Sequence, residues 1–337
     1  MSATAPATAL APAPRGGDGL LFVGTLLILL AWFSGPFGVY DLYEYAQDAE
    51  ALWLGGRWDM RLAQPGFHGE AFSRFSIGLP ILSGPFVLLG AGLEHLTGGG
   101  IHQRWIMALM APLATAGAAV ALSSIARALR LPRAAGVWGG AVLALSASGL
   151  YYSRLYYVEP VVGLLALLGV RAALAALAAA RAPTRLAATA GLAFGGAAMC
   201  HYANAPAMGV MSAGAAWVLW REGRGGARSA AALLAAAAVP IAAVLAMNWH
   251  RFGSPLVTGY TYYDADQINV MTASSLPRNL RGLATVLVGV PWLGCAVAAL
   301  IVARRSPRCA WCRGAAVVLA ALAAQECMWQ AFKCMYW

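Results

Sequence analysis

The sequence predicts an all-α fold, a polytopic transmembrane bundle of about nine spans with a re-entrant or surface-lying helix at 77–93. Three observations carry that expectation. Hydrophobic residues make up 61% of the chain and charged residues only 11%, and the mean hydropathy of +0.66 is far above what a soluble domain tolerates at its surface. Several apolar runs approach or exceed the roughly 20 residues a helix needs to cross a bilayer, and their Ala, Leu and Gly content lacks the period-two alternation of a barrel. The Arg residues fall in short clusters between these runs, as topology signals do. The same placement explains the formal charge of +10 without nucleic acid, which is excluded as a partner.

The elements follow in order. Residues 1–18 are Ala- and Pro-rich and read as a disordered tail; the rest, 19–337, forms the membrane domain. Arg15 precedes the first apolar run, 20–33, so the tail is expected to be cytoplasmic and the helix an uncleaved first span. A long first outer loop, 38–104, follows. Its first part, 41–70, holds Asp41, Glu44, Asp48, Glu50, Asp59 and Glu70, six of the chain's 13 acidic residues. Within it the run from Ile77 to Leu93 is short and is interrupted by Pro80, Gly84 and Pro85. Arg127, Arg130 and Arg133 must share a side with Arg181 and Arg185, which leaves this run no room to cross. Further spans are expected at 105–126, 135–153, 158–180, 186–200, 205–220, 229–249, 283–303 and 314–332. Arg221, Arg224 and Arg228, and then Arg304, Arg305, Arg308 and Arg313, fall on the same inner side.

The outer side gathers the chemistry. YYSRLYYVEP brings Arg154 and Glu159 to the membrane boundary, CHYANAP offers His201, Tyr202 and Asn204, and NWHRFGSPLVTGYTYYDADQ contributes His250, Arg251, Asp264 and Asp266. An unpaired carboxylate at such a boundary is costly, so these groups are expected to meet partners. Carboxylates, guanidinium groups and aromatics together suit a phosphate on a lipid tail with a sugar beside it. Plainer roles exist for each. Asp41 fits a helix cap, Glu159-Pro160 a helix start, the Trp and Tyr residues an aromatic belt, and Asp264 and Asp266 a solvated loop. The six Cys form no even framework; Cys309 and Cys312 make a lone CxxC without a second pair, so free thiols are expected.

Four of these segments resemble the GT-C superfamily of membrane glycosyltransferases, which includes the protein O-mannosyltransferases and aminoarabinose transferases. The resemblance rests on Asp41 in VYDLYEYAQDAEAL, on Ser73 to Phe86, on the YYSRLYYVEP turn with Glu159, and on Asn248 to Tyr260. It runs from about residue 20 to 303. Members usually carry Asp-Glu directly after the first span, where this chain has Asp41 with Glu44 one turn later. They also continue through more spans than this chain has, so a form shortened at the C-terminus is expected.

The resemblance implies transfer of a sugar from a polyprenyl-phosphate donor to a glycan, lipid or protein acceptor at the outer face, with inversion. Asp41 would be the general base, with Glu44 and Glu159 as further catalytic carboxylates. Arg154, Arg74 and Arg251 would hold the donor phosphate, since the guanidinium fork suits bidentate contacts. Tyr45, Trp58, His201, Tyr202 and His250 would contact acceptor or sugar. A divalent metal is compatible with this chemistry, though no ligand set for one stands out. Rival readings are a transporter or flippase-like carrier and a non-catalytic subunit of the same fold. The Ala-, Arg- and Gly-heavy usage suggests a bacterial source, hence a plasma (inner) membrane location with the active face periplasmic or extracellular.

Overall fold

The computed structural model of the chain describes residues 17–35, 40–62, 71–179, 183–222, 225–259 and 262, and it is all-α there. The helices are α1 (Asp18–Ala31), α2 (Tyr40–Trp53), α3 (Gly78–Leu82), α4 (Gly84–Leu96), α5 (Gln103–Ala108), α6 (Met110–Ala128), α7 (Arg133–Leu145), α8 (Ala147–Ser153), α9 (Glu159–Ala178), α10 (Pro183–Cys200), α11 (Ala205–Glu222) and α12 (Gly226–Phe252). A 3-10 turn, Tyr202–Asn204, joins α10 to α11.

Among the described residues three helices are long and apolar enough to cross a membrane: Gln103–Ala128, which is α5 and α6 together, then α9 and α12. That corrects the expected count of nine, for identifiable reasons. α1 and α7 are apolar but have only 14 and 13 residues. The expected span 135–153 is split at Ser146, whose backbone turns extended and whose hydroxyl accepts from Gly149 N–H at 3.1 Å, capping α8 in mid-run. α10 and α11 have 18 residues each, but Gly, Pro and polar ends lower their average hydropathy. The expected spans 283–303 and 314–332, with Cys309 and Cys312, lie outside the described residues, as does the tail up to residue 16.

The interrupted run at 77–93 is two helices rather than one. The break falls at Ser83, with Pro85 in the first turn of α4, where its missing N–H costs nothing. Ser83 Oγ donates to Leu79 O at 2.6 Å and also hydrogen-bonds the hydroxyl of Tyr156. α4 has 13 residues, about 20 Å of helix, too short for a core of about 30 Å.

Two ends of the bundle can be told apart by their contacts. At one, Arg127 Nη1 reaches Asp18 Oδ1 at 2.7 Å, joining the start of α1 to the end of α6, and Arg133 at the start of α7 lies against Gly17. At the other, Ser34 N–H donates to Arg154 O at 3.0 Å, and Phe33 meets Trp105 edge to face at 6.0 Å. The loop between α1 and α5 therefore sits at the same end as the turn between α8 and α9.

Helix spacing is set by small residues. Gly191 and Gly195, four apart on α10, lie against the backbone at Leu233 and Ala237 of α12, where a Cβ would collide with carbonyl oxygens. Gly136 and Gly140 on α7 do the same against Ser123 and Ala119 of α6. These are the small-xxx-small stripes that let helices approach closely where apolar burial gives little drive. Around them Ala is the commonest core residue, and Phe194 is the largest side chain that is fully buried among the described residues.

Candidate functional site

α2 is buried along almost its whole length, which a helix reading YDLYEYAQDAEALW would not do without partners for its polar groups. Leu42, Tyr45, Ala46 and Ala49 pack into the core, and Tyr45 stacks on Phe75 at 4.6 Å. On the same helix Glu44 is 2% exposed, Gln47 4% and Asp48 0%. Asp41, Glu44 and Asp48 fall at i, i+3 and i+7, hence on one face. The Asp41 backbone is in the first turn of α2; its side chain lies outside what the structure describes.

Arg251 comes to this face from the last turn of α12. Its Nη2 stands 3.6 Å from Asp48 Oδ1, both side chains being fully buried, and its Nε donates to Asp59 O at 3.3 Å. That separation is an ion pair without a hydrogen bond, since charge-assisted N–H···O bonds run about 2.7–2.9 Å. Both carboxyl oxygens of Asp48 and both Nη atoms of Arg251 lack a hydrogen-bond partner among the described residues. The Phe72 ring lies 6.0 Å from the guanidinium carbon. Asn248, one turn before Arg251, accepts from Tyr202 OH at 2.9 Å and donates to Pro255 O at 3.3 Å.

Burial dominates the electrostatics. It pushes the Asp48 carboxyl from 3.8 up to about 7, and Glu44 adds in the same direction, while Arg251 and the neighbouring Ser73 hydroxyl pull it back only in part. Tyr202 is pushed up to about 12 by burial, partly offset by Arg251. Burial lowers His201 to about 4, so it is a neutral imidazole at neutral pH. Tyr156, buried beside Ser83, is also raised by burial, and it lies within electrostatic reach of Asp48 and Glu50.

Segments distant in sequence therefore converge: α2, the strip 73–76 before α3, Tyr156 ahead of α9, the turn 200–204 and the end of α12. Ser76 Oγ donates to Met199 O, and Gly78 lies directly on the Cys200 backbone. Beside this cluster, Glu50 receives two bonds from Arg104, one from Nη2 at 2.6 Å, and a third from Gln103 Nε2 at 2.9 Å, which ties α2 to α5.

The other expected site residues are distributed as follows. Arg154 lies over the Tyr151 ring at 5.0 Å, and Tyr157, which is raised by burial, feels both Arg154 and Glu159. These form a second polar group on the turn before α9, where Glu159 also opens the helix ahead of Pro160. Arg74 is half-buried, its backbone against Gly259. Trp58 is 75% exposed and His250 is exposed. Asp264, Asp266, His68 and Glu70 lie outside the described residues. Among the described residues no group of three His, Cys, Asp or Glu side chains is placed to hold a metal ion.

Asp48 is the residue that sequence reasoning passes over, because attention falls on the first acid after the span. The usable signal is the i, i+3, i+7 spacing from Asp41 through Glu44. Comparison of the chain with protein-family models, with curated proteins and with solved structures finds no match.

Proposed function

We propose that the chain is a membrane-embedded, inverting glycosyltransferase that moves a sugar from a polyprenyl-phosphate donor to an acceptor hydroxyl or amine at the membrane boundary. One observation carries this reading: a fully buried guanidinium with vacant Nη donors faces an acidic helix at one end of an apolar bundle. A phosphate leaving group needs such a donor, and an attacking hydroxyl needs such a carboxylate. The acceptor oxygen bonds to the anomeric carbon as the bond from that carbon to the phosphate oxygen breaks. The electron pair stays on the lipid phosphate beside Arg251, and the acceptor proton goes to a carboxylate of α2, Asp41 at its outer end being the base. Tyr202, Asn248 and Glu44 orient the groups around that exchange.

The bundle's two ends support the sidedness proposed with it. The end carrying Asp18, Arg127 and Arg133 is cytoplasmic, the end carrying α2 and Arg251 is periplasmic, and the three long helices cross between them. An ion-coupled carrier usually places ionisable groups in mid-membrane. Away from their ends, the three long helices contain only Arg171.

The test is sugar transfer by the purified protein in lipid nanodiscs from a panel of polyprenyl-phosphate sugars, against Asp41→Asn and Arg251→Gln. Transfer by the wild type, with a loss of about a hundredfold or more in each variant, is expected. Unchanged transfer by Asp41→Asn removes Asp41 from the mechanism. No transfer from any donor sinks the reading.

A further inference from the structure

We propose that Asp48 and Arg251 form a proton-linked anion site, in which an incoming phosphate takes over the guanidinium and Asp48 takes up a proton in exchange. The idea rests on the transferase reading only for the ligand's origin; the site itself rests on geometry. Arg251 has five N–H donors, and among the described residues Nε donates to Asp59 O while both Nη groups are buried without a hydrogen-bond partner. Asp48 is close enough to neutralise it but, at 3.6 Å, does not use its donors. A phosphate oxygen can do so bidentately, the geometry for which Arg is suited.

The exchange follows from charge. With the site empty, Asp48 and Arg251 sum to zero. A phosphodiester at Arg251 adds one negative charge where Glu44, Asp48, Ser73 and Arg251 are all buried, and Asp48 loses its counter-ion at that moment. Protonating Asp48 restores neutrality. No other group around it is suited to replace that proton. From α12 it meets Arg251; from its own helix, Glu44; from the strip before α3, Ser73; from the turn before α9, Tyr156; and from the turn after α10, Tyr202. Both tyrosines already hold their protons at neutral pH, which leaves Glu44 as the one rival. An Asp48 that ionises near 7 makes the exchange responsive in the physiological range.

The consequence is directional. Anion affinity is highest when Asp48 is already protonated and weakens about tenfold for each pH unit above about 7. In a sugar-transfer cycle the phosphodiester donor is thus held more tightly at low pH than at high pH.

The experiment measures binding to the full chain in nanodiscs by isothermal titration calorimetry, between roughly pH 5 and pH 9. The probe is a short-chain polyprenyl phosphodiester, whose single charge does not titrate in that window, with inorganic phosphate in a parallel arm. Wild-type affinity is expected to be flat below about 7 and to fall above it. Asp48→Asn should bind with no pH dependence, and more tightly than the wild type at high pH. Arg251→Gln should bind at least tenfold more weakly at every pH, and Glu44→Gln should keep the wild-type slope. The Asp48→Asn/Arg251→Gln pair carries no buried charge and serves as the folded, non-binding control if Arg251→Gln alone fails to fold.

A pH-independent wild type, undiminished binding by the double variant, or a slope that disappears with Glu44→Gln overturns the proposal. Inorganic phosphate binding with similar affinity at about pH 5, where it too carries a single negative charge, supports the site with a free anion as its ligand; much weaker binding there assigns it to a lipid. Proton-linked binding in a protein that transfers no sugar leaves the site standing and sinks the transferase. Transfer together with pH-flat binding does the reverse.

Discussion

Replacing Asp48 by Asn should remove a pH-dependent loss of stability whose size follows from its burial. The side chain is fully buried and lies 3.6 Å from its counter-ion, so desolvation outweighs the pull of Arg251 and of the Ser73 hydroxyl, and the carboxyl rises from 3.8 to about 7. A group raised in the folded state contributes stability that is fully present below its unfolded value and is lost as pH rises through its folded value. The window is therefore from 3.8 to about 7. At about 1.4 kcal/mol per pH unit, the whole loss is about 4 kcal/mol.

A guanidinium group stays charged throughout this range, so whatever it costs to leave one beside an amide shifts the variant's curve by a constant. The readable quantity is the difference between the two curves. Wild type and Asp48→Asn, melted in detergent and monitored by tryptophan fluorescence, should differ least near the lower limit of that window. They should diverge upward in favour of the variant, and run parallel above about pH 7. A flat difference would mean that Asp48 is solvated or hydrogen-bonded. A difference of the opposite sign would mean that Arg251 binds it tightly enough to depress it, and either result refutes the reasoning.

Other measurements test separate parts of the structure. Gly195→Leu should push α10 off α12, because the new side chain meets the Ala237 carbonyl; a loss of at least about 1–3 kcal/mol is expected from the melting curve, and Gly196→Ala, with only Leu165 nearby, should cost little. Alkaline phosphatase fused after Gly99 should be active and after Arg133 inactive, since these positions follow opposite ends of the bundle; activity only at Arg133 would invert the proposed orientation. His201 should show no titration by NMR down to about pH 5, because burial holds it neutral, so a pH-rate limb near its ordinary value of 6.5 that vanishes in His201→Gln would contradict the structure. Glu50→Gln should lower the melting temperature by removing the charge behind the bidentate Arg104 contact, and Glu94→Gln, which touches only the Gln103 N–H, should lower it less.

Helix positions were legible in the sequence because they depend on local apolar runs and breakers. α9, α11 and α12 begin and end within a few residues of the runs, and Gly84-Pro85 marks the break before α4. The count of long spans was not legible, because hydropathy averages across Ser146 while one local cap is enough to end α7. Within the candidate site, the acids of α2 were visible as a composition shift, but the partner of each was not. Glu50 meets Arg104 and Asp48 meets Arg251, although no pattern in the chain distinguishes one Arg from the other. Those pairings depend on which helix ends share a bundle end, a property of the packed whole. The Tyr45 ring shows the same limit: suited by type to stack on a sugar, it stacks on Phe75 in the core because its face of α2 is covered.

The Gly stripe on α10 connects these two levels. Gly191 and Gly195 let α10 and α12 approach at backbone contact, so the residues just beyond α10 arrive at a defined distance from the end of α12. There Tyr202 hydroxyl meets Asn248, which fixes the rotation of α12, and Arg251, one turn further along the same face, is aimed at Asp48. Gly78 brings the strip 73–76 onto Cys200 in the same way, closing the other side of the carboxyl. Substituting any of these glycines should therefore move Arg251 relative to Asp48 as well as loosen the bundle. The two effects can be separated, because a misaligned pair changes the slope of stability against pH whereas lost packing changes only its height.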